Sequence, residues 1–225
     1  GRWSTTGQYN INENQCAENT GTGPNLGCGP AITSLVQSKT TVQNAINAMN
    51  YWSRGGTNSG VGLAWGWRAL SPKWRGMWGG ATPATLPLNY RSPLMSKAVV
   101  ILTDGNNEWY DYDASNSDNY ATNMTNYAGD MTAYSRPEDG KLGTTNKATA
   151  TNTLNTNFAN LCTTMKNQGI IIYTITFNLS DTNVQNLWRT CASSPSFYFN
   201  SPNATTLNSA FRTIGDSLSN LRISR

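Results

Sequence analysis

The chain has 225 residues with 16 Lys and Arg against 12 Asp and Glu, a formal net charge of +4, only 12% charged residues and no histidine. The charged share is about half the roughly 25% of an average soluble chain, and Asn with Thr supplies roughly a quarter of all positions. The missing histidine excludes Ser-His-Asp and Cys-His nucleophiles, HExxH zinc proteases and most His-ligated metal centres. The scattered cations argue against nucleic acid, and no apolar run reaches the ~20 residues that span a bilayer, so any membrane anchor lies outside this chain.

Residues 1–31 hold Gly, Asn, Thr, Pro and two cysteines without an apolar period and read as an irregular segment. A domain is expected over 32–225. Ile32 to Leu35 reads as a short strand, and Val42, Ala45, Ile46 and Met49 recur at helical spacing behind the cap candidates Thr40 and Thr41. After the Gly55-Gly56-Thr57-Asn58 turn, Val61 to Trp67 favour a second helix ending near Ser71-Pro72. A Pro- and Gly-rich stretch over 72–93 precedes Lys97 to Thr103, a continuous apolar run of the kind found in parallel strands covered on both faces.

Residues 105–150 are polar, carry Tyr and Asp, lack a period and are expected to form a long surface insertion. Leu154, Phe158, Leu161, Cys162 and Met165 mark a helix that Gly169 ends, and Ile170 to Phe177 is a second buried strand. Val184 to Trp188 suits a short helix, Phe197 to Phe199 a short strand and Leu207 to Leu221 a terminal helix. This alternation predicts an α/β fold with a mainly parallel sheet.

The four cysteines match no zinc or redox spacing. Two sequential disulfides, Cys16 with Cys28 and Cys162 with Cys191, are the expected pairing, with four reduced thiols as the alternative. Disulfides and the Asn/Thr-rich composition together predict an extracytoplasmic protein, in the periplasm or at a cell surface.

Asp104, following Thr103 at the end of the first apolar strand, stands where open parallel sheets bind ligands. Thr57, after a double glycine and before a helix, offers a second oxygen, the donor type that magnesium or calcium takes. The alternative for Thr103-Asp104-Gly105 is plain turn chemistry. Asp111, Asp113 and Asp118 form a second candidate metal loop, although Asn116 replaces the usual Gly and no Glu closes it. A solvated polar loop is the competing reading there. Trp74, Trp78 and Trp109 are candidate partner-binding residues, whereas Trp52, Trp65 and Trp67 are expected to pack in the core or against loops.

The blocks Gly55-Gly56-Thr57-Asn58, Gly62 to Pro72, and Leu102-Thr103-Asp104-Gly105-Asn106-Asn107 together resemble a von Willebrand factor A domain. More narrowly, they are similar to the C-terminal domain of TadG-type proteins of the bacterial Tad (Flp) pilus machinery, and Gly169 to Phe177, Cys191-Ala192-Ser193 and Leu221-Arg222 fit the same group. The resemblance implies a von Willebrand factor A-like three-layer sandwich of Rossmann type, with Thr57 and Asp104 ligating a magnesium or calcium ion whose open position takes a carboxylate of a protein partner. The DxSxS motif that completes such a site, with the first strands that carry it, is missing from this chain. The expectation is therefore a metal-ion-dependent adhesion site that is incomplete here and shared with an N-terminal fragment of the same protein.

The function expected is extracytoplasmic adhesion or pilus-associated assembly, binding a protein partner, possible pilus components included, without catalysis. One alternative is a secreted glycan-binding or glycan-hydrolysing protein drawing on Asp104, Glu108, Asp111 and Asp113 with the aromatics. The other is a structural pilus subunit without metal.

Overall fold

The computed structural model describes residues 30–49, 57–107, 133–135 and 139–223. The chain divides into two compact units, Gly1–Gly55 and Gly56–Arg225. In the first, helix α1 (Lys39–Asn47) starts at Ser38, whose hydroxyl accepts from the Thr41 amide. Ser38 is the extended residue before the first helical turn, so it takes the cap that the sequence assigned to Thr40 or Thr41. Ile32 to Leu35 forms no strand; a run of four residues becomes one only where a neighbouring strand edge takes up its backbone groups.

The second unit contains α2 (Ser59–Leu70), β1 (Lys97–Thr103), α3 (Lys147–Asn167), β2 (Ile170–Phe177), α4 (Thr182–Cys191), β3 (Tyr198–Ser201) and α5 (Ala204–Ile223). The strands form a parallel sheet in the order β1-β2-β3. Lys97 lies opposite Ile170 and Thr103 opposite Thr176, while Thr174 to Phe177 face Tyr198 to Ser201. This is the expected α/β architecture with a parallel sheet and helices on both faces, and it is a partial domain: among the described residues β1 is an edge.

Side-chain alternation along the strands splits the core in two. On one face Leu63 of α2, Phe158, Cys162 and Met165 of α3, and Val184, Trp188 and Cys191 of α4 pack with Ile170 and Ile172, joined by Val99 and Ile101 of β1. On the other, Ala210 and Ile214 of α5 pack with Tyr173 and Ile175, joined by Ala98, Phe197 and Phe199. The hydroxyls buried in β2 are satisfied: Thr174 donates to the Trp188 carbonyl at 2.9 Å and Thr176 lies 3.0 Å from the Tyr198 hydroxyl.

Local chemistry sets the element ends. The α3–β2 connection turns at Gly169, whose φ of +80° favours glycine; a Cβ there would also stand 3.2 Å from the Arg91 side chain. Asp181 caps α4 by accepting from the Asn183 and Val184 amides at 2.8 and 3.3 Å. Cys162 of α3 and Cys191 of α4, both buried, form the second expected disulfide, across 29 positions with Cα atoms 5.2 Å apart. Cys16 and Cys28 lie outside the described residues.

Candidate functional site

The carboxyl end of β1 is built by two loops held in register. Thr57 and Asn58 lead into α2, where the Asn58 side chain accepts from the Val61 amide at 3.2 Å. Asn107, four residues beyond β1, is buried. Its oxygen accepts from the Ser59 amide at 2.8 Å and its amide nitrogen donates to Asn155 of α3 at 2.9 Å. One side chain thus ties the start of α2, the β1 exit loop and α3 together. Sequence reasoning missed Asn107: its amide can accept a bond from a helix start while donating to a second element, but both partners are distant in the chain.

Thr57, Asn58 and Ser59 line one groove with Val99 to Thr103, Gly62, Gly66 and Leu63, a space of about 340 Å³. The α2 wall is bare backbone where glycine stands: a Cβ on Gly62 would meet nothing within 4 Å and one on Gly66 would approach only Val99, at 3.9 Å. On the opposite face of β1, Val100 is 39% and Leu102 43% exposed. The Asn58 amide nitrogen, buried at the head of the groove, has no hydrogen-bond partner among the described residues.

Asp104 is exposed at the tip of β1 and takes no hydrogen bond or ion pair among the described residues. The turn behind it is closed by Thr103, whose hydroxyl donates to the Gly105 carbonyl at 2.9 Å and accepts the Gly105 amide at 3.2 Å. The Asp104 carboxylate is therefore not consumed by that turn, and Thr57 stands at the same end of the sheet. These residues alone do not suit a divalent cation. Near-octahedral magnesium and six- to eight-coordinate calcium need several oxygens, and no group of three or more His, Cys, Asp or Glu comes together among the described residues. The amino end of α2 also brings partial positive charge to this edge, which favours an anion.

The aromatic candidates stand elsewhere. Helix α2 has 12 residues, or ~18 Å of rise, and its far end is fixed at the start of β1, where Lys97 donates its ammonium to the Leu70 and Leu88 carbonyls. Trp74 and Trp78 follow that end and gather with Trp65, ring centroids lying 5.5 to 6.5 Å apart. Trp65 is 36% exposed and packs against Trp74 and Trp78 of the following loop, the second of the two placements expected for it, core or loop. Trp67 does pack against the core, and its indole donates to the Tyr90 hydroxyl at 2.7 Å. Trp52, Glu108, Trp109, Asp111, Asp113 and Asp118 lie outside the described residues.

Burial, followed by the nearby Arg75 guanidinium, pushes the Lys97 ammonium below its ordinary pKa of 10.5. Burial does the same to Lys166, which donates to the Thr190 carbonyl at 2.8 Å. Both cations serve carbonyls at element ends.

No family model and no curated protein matches the chain. Among solved structures, it is similar to the pilus adhesin SpaC from Lactobacillus rhamnosus GG at 14% identity and a TM-score of 0.44, over 82% of this chain and 21% of that one. The chain thus spans about a fifth of that protein's length.

Proposed function

We propose that this chain is the carboxyl-terminal part of an extracytoplasmic adhesion module, pilus-associated and of von Willebrand factor A type, that binds a protein partner rather than catalysing a reaction. The carrying observation is the open edge of β1. A strand of a parallel sheet is normally paired on both edges and covered on both faces, whereas among the described residues β1 has β2 on one side and, on the other, a groove walled by glycines on α2. In this reading a strand from an N-terminal fragment of the same protein pairs along β1, fills the groove with alternate side chains and covers Val100 and Leu102 with the others. The Cys162–Cys191 bond supports an oxidising compartment. No described helix is long and apolar enough to cross a membrane.

Asp104 and Thr57 then face the partner at the completed edge. Magnesium or calcium enters this reading only with oxygen donors that the added strand supplies. The shortage of donors in the described residues favours one second reading, a structural pilus component with the same fold and no ion. Hydrogen exchange of the Val99 to Leu102 amides, in this chain alone and in the intact protein, tests the completion: added protection in the intact protein is expected, and identical exchange sinks it. Magnesium titration calorimetry then separates the two readings. Binding to the intact protein that Asp104→Ala removes supports the ion-dependent site, and no heat in the intact protein supports the structural one.

A further inference from the structure

The cluster at the far end of α2 is a surface of unusual chemistry. Trp65 and Trp74 meet edge to face with centroids 5.7 Å apart, and Trp78 joins Trp65 at 6.5 Å and Trp74 at 5.5 Å. Arg68, one turn after Trp65 on α2, lays its guanidinium 4.7 Å from the Trp65 ring and 5.9 Å from that of Trp74. Met77, whose amide donates to the Trp74 carbonyl, is 67% exposed beside them. Trp, Met and Arg are the side chains concentrated at the cores of protein interfaces, and Trp and Arg carry a large share of hot spots.

Charge decides what kind of partner fits. From Thr57 to Thr103 the chain has no Asp or Glu and five cations, Arg68, Lys73, Arg75, Arg91 and Lys97. Three of these are engaged by main-chain carbonyls: Arg75 by Pro87, Arg91 by Asn167, and Lys97 by Leu70 and Leu88. Arg68 and Lys73 make no ion pair among the described residues. Stacking on indole leaves the guanidinium edge free for a bidentate carboxylate, and the rings shield that pair from water. A sugar platform fits less well. The three rings are tilted or edge-on to one another, and the neighbouring amide, Asn89, is already taken by Arg75 at 2.7 Å.

We infer that Trp65, Arg68, Trp74 and Trp78 form a docking site for an acidic, aromatic-containing segment of a protein partner. This site is separate from the β1 groove and stands or falls independently of it. The carboxylate pairs with Arg68, Lys73 adds long-range attraction, and an aromatic or aliphatic side chain of the partner covers Trp65 and Met77.

The test uses the chain with a fluorescein-labelled random copolymer of Glu and Tyr, followed by fluorescence anisotropy at several salt concentrations. Binding that weakens with salt is expected, reduced roughly tenfold or more by Arg68→Glu or Trp65→Ala, and unaffected by Asp104→Ala. Met77→Glu, at an exposed position that leaves the cluster's packing intact, should weaken it as well and guards against loss through misfolding. The inference is overturned by affinities unchanged in Arg68→Glu and Met77→Glu. It is equally overturned if the copolymer fails to bind, whether or not phosphatidylglycerol vesicles or a neutral oligosaccharide do.

Discussion

Strands β1 and β2 are both continuous apolar runs, yet their surroundings differ. In β2, Ile172, Thr174, Ile175 and Thr176 are all 0% exposed, because β1 and β3 pair with its two edges and helices cover both its faces. In β1, Val99 and Ile101 reach the core under α2, while Val100 and Leu102 are left 39% and 43% exposed. Helix α5 lies over β2 and β3 and reaches β1 only near Ala98, so the outer strand keeps Val100 and Leu102 exposed. A run of β-branched residues therefore states what a strand requires, and only its neighbours show whether the requirement is met. At β1 it is half met, which makes that edge the natural place for a further strand.

The largest effect that sharpens this contrast comes from the covered side. Phe158→Ala, in the layer over β2, should cost about 3 to 5 kcal/mol in urea unfolding. Leu102→Ala should fall within roughly 0.5 kcal/mol in this chain, as for a surface site. A large Leu102 effect here would mean the edge is already covered, and one that grows in the intact protein would mean the added strand covers it. Next, replacing both Cys162 and Cys191 by alanine should lower stability by about 3 to 4 kcal/mol, the loop-entropy value for a closure of this length; the same melts read it out.

A smaller effect is expected at the groove itself. Asn107→Ala leaves the Ser59 amide and the Asn155 oxygen without their partner and should cost about 1 to 3 kcal/mol, with faster hydrogen exchange confined to the first turn of α2. Exchange rising evenly through β2 as well would show that Asn107 is a general core residue and not a latch for this edge. Smallest is the pH effect at the opposite pole. The folded Lys97 pKa lies below the unfolded 10.5, so between the two the unfolded chain holds more protons and stability rises with pH. The Tm of the wild type relative to Lys97→Met should climb through that window and level off above it; a falling difference would show that the charged form is favoured in the folded chain.

Much of the fold was legible from periodicity. Both long strands, the helix ended by Gly169 and the terminal helix lie where apolar spacing and turn chemistry put them, because burial and backbone satisfaction act locally on those runs. The Cys162–Cys191 pairing was legible from chain order. Less legible were Ser38 as the α1 cap, the absence of a strand at Ile32 to Leu35, and the exposure of Trp65. Each depends on which other element stands alongside. Asn107 was invisible for a related reason: its bonds reach 48 positions in either direction, and nothing in its neighbours announces them.

By itself the sequence determined that this is a histidine-free, sparsely charged α/β chain with two buried-type strands, a carboxylate at the tip of the first and a hydroxyl before a helix. Composition and spacing are properties of the chain alone. Only the tertiary structure decided that Thr57 and Asp104 share one end of the sheet while Trp74 and Trp78 gather with Trp65 at the other, and that among the described residues β1 is left with an open edge. Those outcomes depend on parallel strand order and on the length and direction of α2, and such long-range geometry is set by packing between elements distant in the chain.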